Sequence, residues 1–318
     1  MTATPLPPAR LPADIIFQWI GIILVAVLLA GTAGAFLSRR IARPLEGLAR
    51  AAGEVARGDL DQHVPVDSDI REIHSLGEAF NHMTTNLRQS DRAKNAFIAD
   101  VTHELRTPLT VINGTIETLE DGAIDDLEGR GRLLKSMAAE TRRLIRLVND
   151  LLVLTRADAG ALNLKLENID LGKLAQARCE RLARLAEPRQ INLNLAARGQ
   201  VRVWGDADRL TQVLDNLLEN AIRHAPDRST VSVTIQREGN EMCCAISDHC
   251  TGIPSQHLPL IFERFYRVDT SRDRHSGGSG LGLAIVKSLV KAQGGRITAY
   301  SIEGQGTTMT FWLPVDEN

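Results

Sequence analysis

The sequence predicts a multi-domain chain: one transmembrane helix, a long all-helical middle, and a C-terminal α/β sandwich with a mixed sheet. Three observations predict it. Ile15 to Leu37 is an uncharged run of 23 residues. Apolar residues then recur at spacings of three and four from Leu45 to Leu151. From about Ala161 onward, short β-rich runs alternate with helical stretches. With 318 residues, the chain can bury more than one core. Its formal net charge of −2 gives no general pull toward nucleic acid or anionic lipid, so direct nucleic-acid binding is not expected. The four cysteines, Cys179, Cys243, Cys244 and Cys250, show no Cys-x-x-Cys spacing and read as buried, inert thiols.

The uncharged run, as a helix, measures roughly 35 Å, enough to cross the hydrocarbon layer with some tilt. A cleaved signal peptide is the rival, with Ala33-Gly34-Ala35 as its cleavage site, but a basic leader is nearly absent and the apolar run is long for one. Arg39, Arg40 and Arg43 follow at once, against Arg10 and Asp14 before it, so the C-terminal part is expected to face the cytoplasm. Residues 1–14 form a short tail with a Pro-rich start, Pro5-Leu6-Pro7-Pro8. That start fits a piece of a longer, two-span protein better than a chain that senses through its own helices.

After Arg43-Pro44, Leu45, Leu48, Ala52 and Val55 keep helical spacing, with proline tolerated in the first turn, and Gly58 ends the run. An extended connector from Asp59 to Asp69, with Pro65 inside, leads to Ile73, Leu76, Phe80, Met83 and Leu87 in 3-4-3-4 order, a coiled-coil seam. The position after the membrane, Arg43-Pro44, Glu72 and the helix–connector–helix length together resemble a HAMP linker, placed at 38–91. In that family two subunits form a parallel four-helix bundle, so the resemblance implies a homodimer. The heptad continues through Ser90, Lys94, Phe97 and Val101, which predicts one helix running on into the next segment.

That segment, 92–160, reads as a helical hairpin. Val101, Leu105, Ile112, Ile116 and Leu119 keep to one stripe; a glycine-containing turn spans Asp121 to Gly131; and Leu134, Met137, Thr141, Leu144, Val148 and Leu151 make the second run. His103 lies two residues, roughly 200°, from each of Val101 and Leu105, and so is predicted to face solvent. A lone surface histidine is ordinarily just polar surface, but its neighbours alter that reading. Glu104 can accept the imidazole proton and leave the other ring nitrogen as nucleophile. Thr107, one turn on, can position a water. Pro108 removes a backbone donor and is predicted to kink the helix beside the ring. The run His103-Glu104-Leu105-Arg106-Thr107-Pro108-Leu109 resembles the H-box of sensor histidine kinases. The resemblance implies that His103 is the phosphoacceptor, Glu104 the base and Thr107 part of a phosphatase motif.

From 161 to 318 the alternation predicts an α/β layer domain. Expected strands are Asn163 to Leu166, Ile191 to Leu195, Val231 to Ile235, Met242 to Ser247, Arg296 to Tyr300 and Thr308 to Leu313; expected helices are Leu171 to Ala186, Asp206 to His224 and Gly282 to Gln293. The second of these helices carries Gln212, Asn216, Asn220, Arg223 and His224 beside an apolar side of Leu214, Leu217, Leu218 and Ile222. Two asparagines one turn apart suit a Mg²⁺-phosphate site, because neutral amide oxygens coordinate without repelling phosphate. The segment resembles the N-box of the same kinases, which implies ATP and Mg²⁺ as cofactors. Asn220 is then the magnesium ligand, Asn216 its helper, Arg223 a phosphate contact and His224 a neighbour of the base. Related gyrase and heat-shock-chaperone ATPases place a water-activating glutamate at the position of Asn216, and an asparagine cannot act as that base. Transfer to histidine is therefore favoured over hydrolysis.

Asp248-His249-Cys250-Thr251-Gly252 resembles an Asp-x-Gly-x-Gly motif whose carboxylate takes the adenine amino group, with Cys250 standing where the first glycine is expected. If that backbone requires positive φ or close approach to the base, cysteine weakens ATP binding. Leu260 to Arg267 resembles the F-box, and Val268 to Ser279 reads as a mobile lid. Gly278, Gly280 and Gly282 then open a helix whose amides can hold phosphates. Arg264, Arg267 and Arg272 can reach the phosphates, and Arg272, inside the lid, is the preferred candidate.

The resemblance thus implies a sensor histidine kinase of the bacterial cytoplasmic (inner) membrane, with its catalytic part in the cytoplasm. It would phosphorylate His103 from ATP and pass the phosphoryl group to a separate response regulator, since no receiver-like stretch is recognisable. Two other readings stand beside it: an ATPase clamp, and a kinase-inactive relay dimer should Cys250 abolish nucleotide binding.

Overall fold

The structure, a computed structural model, describes residues 13–68, 70–123, 126–199, 201–268 and 279–315. The N-terminal tail to Pro12, and Arg272 and Gly278 with nearly all of the expected lid, lie outside the described residues. The chain divides into two compact units, Met1–Ile98 and Ala99–Asn318.

In the first unit, α1 (Ala13–Leu37) passes through a π-helical turn, Ser38–Ala42, into α2 (Arg43–Ala56). Pro44 lies just past that π-helical turn inside one continuous helix, where its missing N–H leaves one helical bond unmade. Among the described residues one helix is long and apolar enough to cross a membrane, and none of its apolar window is buried by protein. Gly58, at φ 98°, reverses the chain after α2. The connector then packs back through Val64, which joins Ala51 and Phe80 in a small core flanked by Leu48 and Val55. Asn81 fixes that register. Its Oδ1 accepts from Val64 N–H and its Nδ2 donates to the Val64 carbonyl, each at 2.9 Å, which satisfies both polar groups of an otherwise unpaired residue. The helix α3 runs from Arg71 to Thr118, the single helix the heptad predicts, and contributes to both units.

In the second unit, α3 continues through Pro108, which is buried, and ends in a π-helical turn, Leu119–Ala123. The hairpin closes with α4 (Leu127–Asp158), capped by Asp126, whose side chain accepts from Glu128 N–H. The buried stripe of α4 differs from the expected one: Leu147 and Leu154 are its deepest residues, while Leu134, Val148 and also Ile145 and Leu152 stand exposed. Met137, Leu144 and Leu151 of the expected run stay half-buried beside Leu147 and Leu154, where α4 packs inward on α7 (Gly282–Ala292).

The α/β domain is a two-layer sandwich. The strands β2 (Asn192–Ala197), β4 (Thr230–Glu238), β5 (Glu241–Asp248), β6 (Arg296–Ile302) and β7 (Gly306–Pro314) form a mixed sheet in the order β2-β4-β5-β7-β6. The β2–β4 pair is parallel and the others are antiparallel. The crossover from β2 to β4 is made by β3 (Arg202–Gly205) and α6 (Ala207–His224). Alternate residues Val231, Val233 and Ile235 of β4, and Met309, Phe311 and Leu313 of β7, point into one core beneath α5 (Leu171–Ala186), α6 and α7. One expected strand does not form, and one strand pair forms that was not expected. Asn163 to Leu166 is extended but unpaired, held by Asp206 Oδ2, which accepts from Lys165 N–H at 2.8 Å; its alternating leucines reflect packing, since Leu162 abuts the core. The ladder forms one step later, between β1 (Glu167–Asp170) and the unexpected β3. All four cysteines are free and buried, as their spacing suggests, and burial pushes Cys243 up to about 11 and raises the other three.

Candidate functional site

The first half of the site lies on α3. Leu105 packs against the core, and His103, two residues away, is exposed. Its imidazole is therefore open to an incoming reagent while the backbone behind it is anchored. Glu104 is half-buried and faces α4, where Arg143 Nη2 stands 3.5 Å from its Oε2. The same guanidinium has Glu140 Oε2 at 3.9 Å. Thr107 is exposed on the His103 side, and its hydroxyl donates to the His103 carbonyl at 3.4 Å.

The second half is built on α6, α7 and the end of β5. Asp206 caps α6, accepting from Arg209 N–H at 3.0 Å, and its own amide donates to Gln293 Oε1 at 2.8 Å. At the other end Arg189 donates to the carbonyls of Ile222, Arg223 and Ala225 at 2.8, 3.0 and 2.6 Å, and to Asp227 at 2.8 Å. These bonds satisfy helix-end acceptors and hold the turn that carries Arg223 and His224, both exposed. Half-buried Asn216 and Asn220 lie one turn apart between those caps. The structure brings Asn216 to Gly282: a Cβ on that glycine would sit 3.5 Å from Asn216 Oδ1. The buried Nδ2 of Asn216 has no hydrogen-bond partner among the described residues. A buried orphan amide of this kind is costly unless a ligand meets it, so the donor set fits a phosphate with its counter-ion.

Gly280 has φ 71° and Gly252 has φ 76°. A side chain at either would strike backbone, 2.8 Å from Phe265 at Gly280 and 2.2 Å from the Ile302 carbonyl at Gly252. Glycine is therefore required there by close approach as well as by conformation. Among the described residues no side chain caps the first turn of α7, so its N–H groups can meet an anion. Asp248 closes an Asx turn by accepting from Cys250 N–H at 2.9 Å. Cys250 is not among the residues at positive φ, so the backbone condition for a cost at this position is not met. Its Sγ is buried, 3.3 Å from Thr307 Oγ1, and accepts from Gly252 N–H at 3.3 Å. Of the arginine candidates, Arg264 is engaged by both carboxylate oxygens of Asp158 at 2.5 Å.

Sequence reasoning missed Arg143, Glu140 and Arg189. The first two carried a legible signal: charged residues three apart, in phase with Met137 and Leu147 on the buried stripe of α4. Arg189 had none, because its partners are carbonyls distant in sequence.

Three family models match in series: HAMP domain over residues 36–89, His Kinase A (phospho-acceptor) domain over 93–160, and Histidine kinase-, DNA gyrase B-, and HSP90-like ATPase over 205–317. The chain belongs to the sensor histidine kinase family. Among its relatives, Signal transduction histidine-protein kinase BaeS of Escherichia coli (strain K12) is 33% identical over 301 residues, covering 95% of this chain and 63% of that one. Sensor histidine kinase WalK of Bacillus subtilis (strain 168) is 40% identical over 259 residues, covering 80% of this chain and 41% of that one. The chain thus spans less than two thirds of the length of either curated histidine kinase. Among solved histidine-kinase-like folds, full-length ShkA in complex with AMPPNP superposes with a TM-score of 0.52 at 29% identity, covering 69% of this chain and 45% of that one. His103, Glu104 and Thr107 fall inside the phospho-acceptor match, and Asn216, Asn220 and Asp248 inside the ATPase match.

Proposed function

We propose that the chain autophosphorylates His103 from ATP, passes the phosphoryl group to an aspartate of a response regulator, and also removes it from that regulator through Thr107. The observation that carries the reading is the pairing, within one compact unit, of an exposed histidine flanked by a carboxylate with a buried, partnerless Asn216 amide at the glycine-opened start of α7. ATP would lie with its adenine amino group on Asp248 and its phosphates toward α7, Arg223 and Arg272. Mg²⁺, held by Asn220 with Asn216 beside it, would neutralise charge on the transferring phosphoryl group. His103 attacks in line, with Glu104 taking the proton of the other ring nitrogen. Thr107, whose hydroxyl lies one helical turn from His103, orients a water for the reverse hydrolysis.

Exposed apolar residues along the hairpin, Leu134, Ile145, Val148 and Leu152, suit a second copy of the chain, so the working unit is a homodimer. It is anchored by α1 in the bacterial cytoplasmic membrane, with the catalytic unit on the cytoplasmic side. The test uses the full chain in detergent micelles with γ-labelled ATP, beside His103→Gln. Acid-labile label that vanishes in the variant supports the kinase. Steady phosphate release without label would instead indicate an ATPase clamp, and absence of nucleotide binding a relay dimer.

A further inference from the structure

Arg143 sits beside the proposed base. It belongs to α4, the partner helix of the hairpin, yet its guanidinium reaches across to Glu104 Oε2 at 3.5 Å. It also lies 3.9 Å from Glu140 Oε2, one turn away on its own helix. All three side chains are only about a quarter exposed, at 24%, 25% and 25%. Glu140 Oε2 is fully shielded and has no hydrogen-bond partner among the described residues. One cation is therefore shared by two carboxylates in a partly desolvated place, where losing a partner is more costly than at the surface.

We infer that Arg143 is a positioning residue for phosphorylation of His103, holding Glu104 beside the imidazole while Glu140 serves as its second counter-charge. The inference rests on the proposed kinase reading. In that step a bond forms between one His103 ring nitrogen and the γ-phosphorus. The bond from that phosphorus to ADP breaks with its electron pair leaving on ADP. The proton of the other ring nitrogen passes to Glu104. Neutralising Glu104 would strand the Arg143 charge if it had no other partner. Glu140, already at 3.9 Å, keeps a counter-charge beside the guanidinium through the proton transfer. Adjacent residues on a helix do not face one another, so Glu104 needs an external hold to keep its carboxylate at a fixed place near His103.

The test measures autophosphorylation of the full chain in detergent micelles for wild type, Arg143→Gln and Arg143→Lys, together with the KM for ATP and the affinity for AMPPNP. The expected result is at least a tenfold fall in kcat for Arg143→Gln, with KM and AMPPNP affinity within twofold of wild type. Arg143→Lys should recover the rate to within threefold, since the charge returns without the fork. A fall smaller than tenfold, a parallel loss of ATP affinity, or a lysine variant no better than glutamine overturns the inference. Should Arg143→Gln fail to fold, Arg143→Met is measured in its place beside Arg143→Lys, and the same tenfold and threefold thresholds uphold or overturn the role. Label on wild-type His103 keeps the two questions apart, because its absence defeats the kinase reading itself.

Discussion

Gly280 and Phe265 meet backbone to backbone: the Phe265 amide donates to the Gly280 carbonyl at 3.0 Å, and both residues hold positive φ, 71° and 59°. The contact ties the F-box segment to the residue two before α7. Gly280→Ala would press a methyl carbon to 2.8 Å from the Phe265 backbone and strain φ as well. Nucleotide affinity is expected to fall at least tenfold, with a stability loss of about 1–3 kcal/mol. Titration with AMPPNP checks it; a folded variant with unchanged affinity contradicts the account.

Arg178 grips Asp215 through Nε and Nη2 at 2.7 and 2.8 Å, with side chains 14% and 19% exposed. This fork joins α5 to α6 one residue before Asn216. Asp215→Asn leaves a guanidinium mostly buried without its counter-charge and is expected to cost about 2–4 kcal/mol. Chemical denaturation measures the loss. Arg178→Lys should also be impaired, because an ammonium cannot reproduce the bidentate geometry.

Asp150 has its carboxyl pushed up to about 6, chiefly by burial and further by Glu219 of α6, against the opposing pull of Arg146. Unfolded, the same carboxyl ionises near 3.8, so between these values the folded chain binds the extra proton. Stability therefore falls as pH rises from 4 to 6, and the full cost is present above that window. Discounted for the partial exposure of the group, the cost is about 1–2 kcal/mol. Asp150→Asn should be more stable than wild type at pH 7 by that amount, and the two should converge near pH 4. Parallel denaturation midpoints across the range would refute it.

Cys250 follows the Asx turn of Asp248 with ordinary φ and an inward thiol. Cys250→Gly should leave AMPPNP affinity within threefold of wild type, since no strain is relieved. It should cost about 1–2 kcal/mol through the emptied buried volume and the added backbone freedom. An affinity gain of tenfold or more would show that the cysteine does obstruct the nucleotide.

Local patterns carried the sequence reading a long way, and its failures follow from contacts distant along the chain. Period and capping are local, so α5, α6, α7 and the strands of the large sheet stand close to where the residues place them. The small ladder of β1 and β3 depended on two segments more than thirty residues apart. Arg202–Gly205 is only four residues long, too short for its alternation to mark a strand without its partner. The depth of Leu147 and Leu154 was hidden for the same reason, since it comes from α7 packing against α4.

The chemistry divides in the same way. His103, Glu104, Thr107, Asn216, Asn220 and Asp248 stand out in the sequence because each proposed role needs a particular functional group at a particular spacing along one element. What those groups touch is a tertiary matter. The free amide of Asn216 beside Gly282, the sharing of Arg143 between Glu104 and Glu140, and the harmless backbone at Cys250 appear only once separate elements pack. Order along the chain therefore determined the modules and their reactive groups. Packing between elements decided burial, charge pairing and close approach, because those energies depend on separation in space and not on separation in sequence.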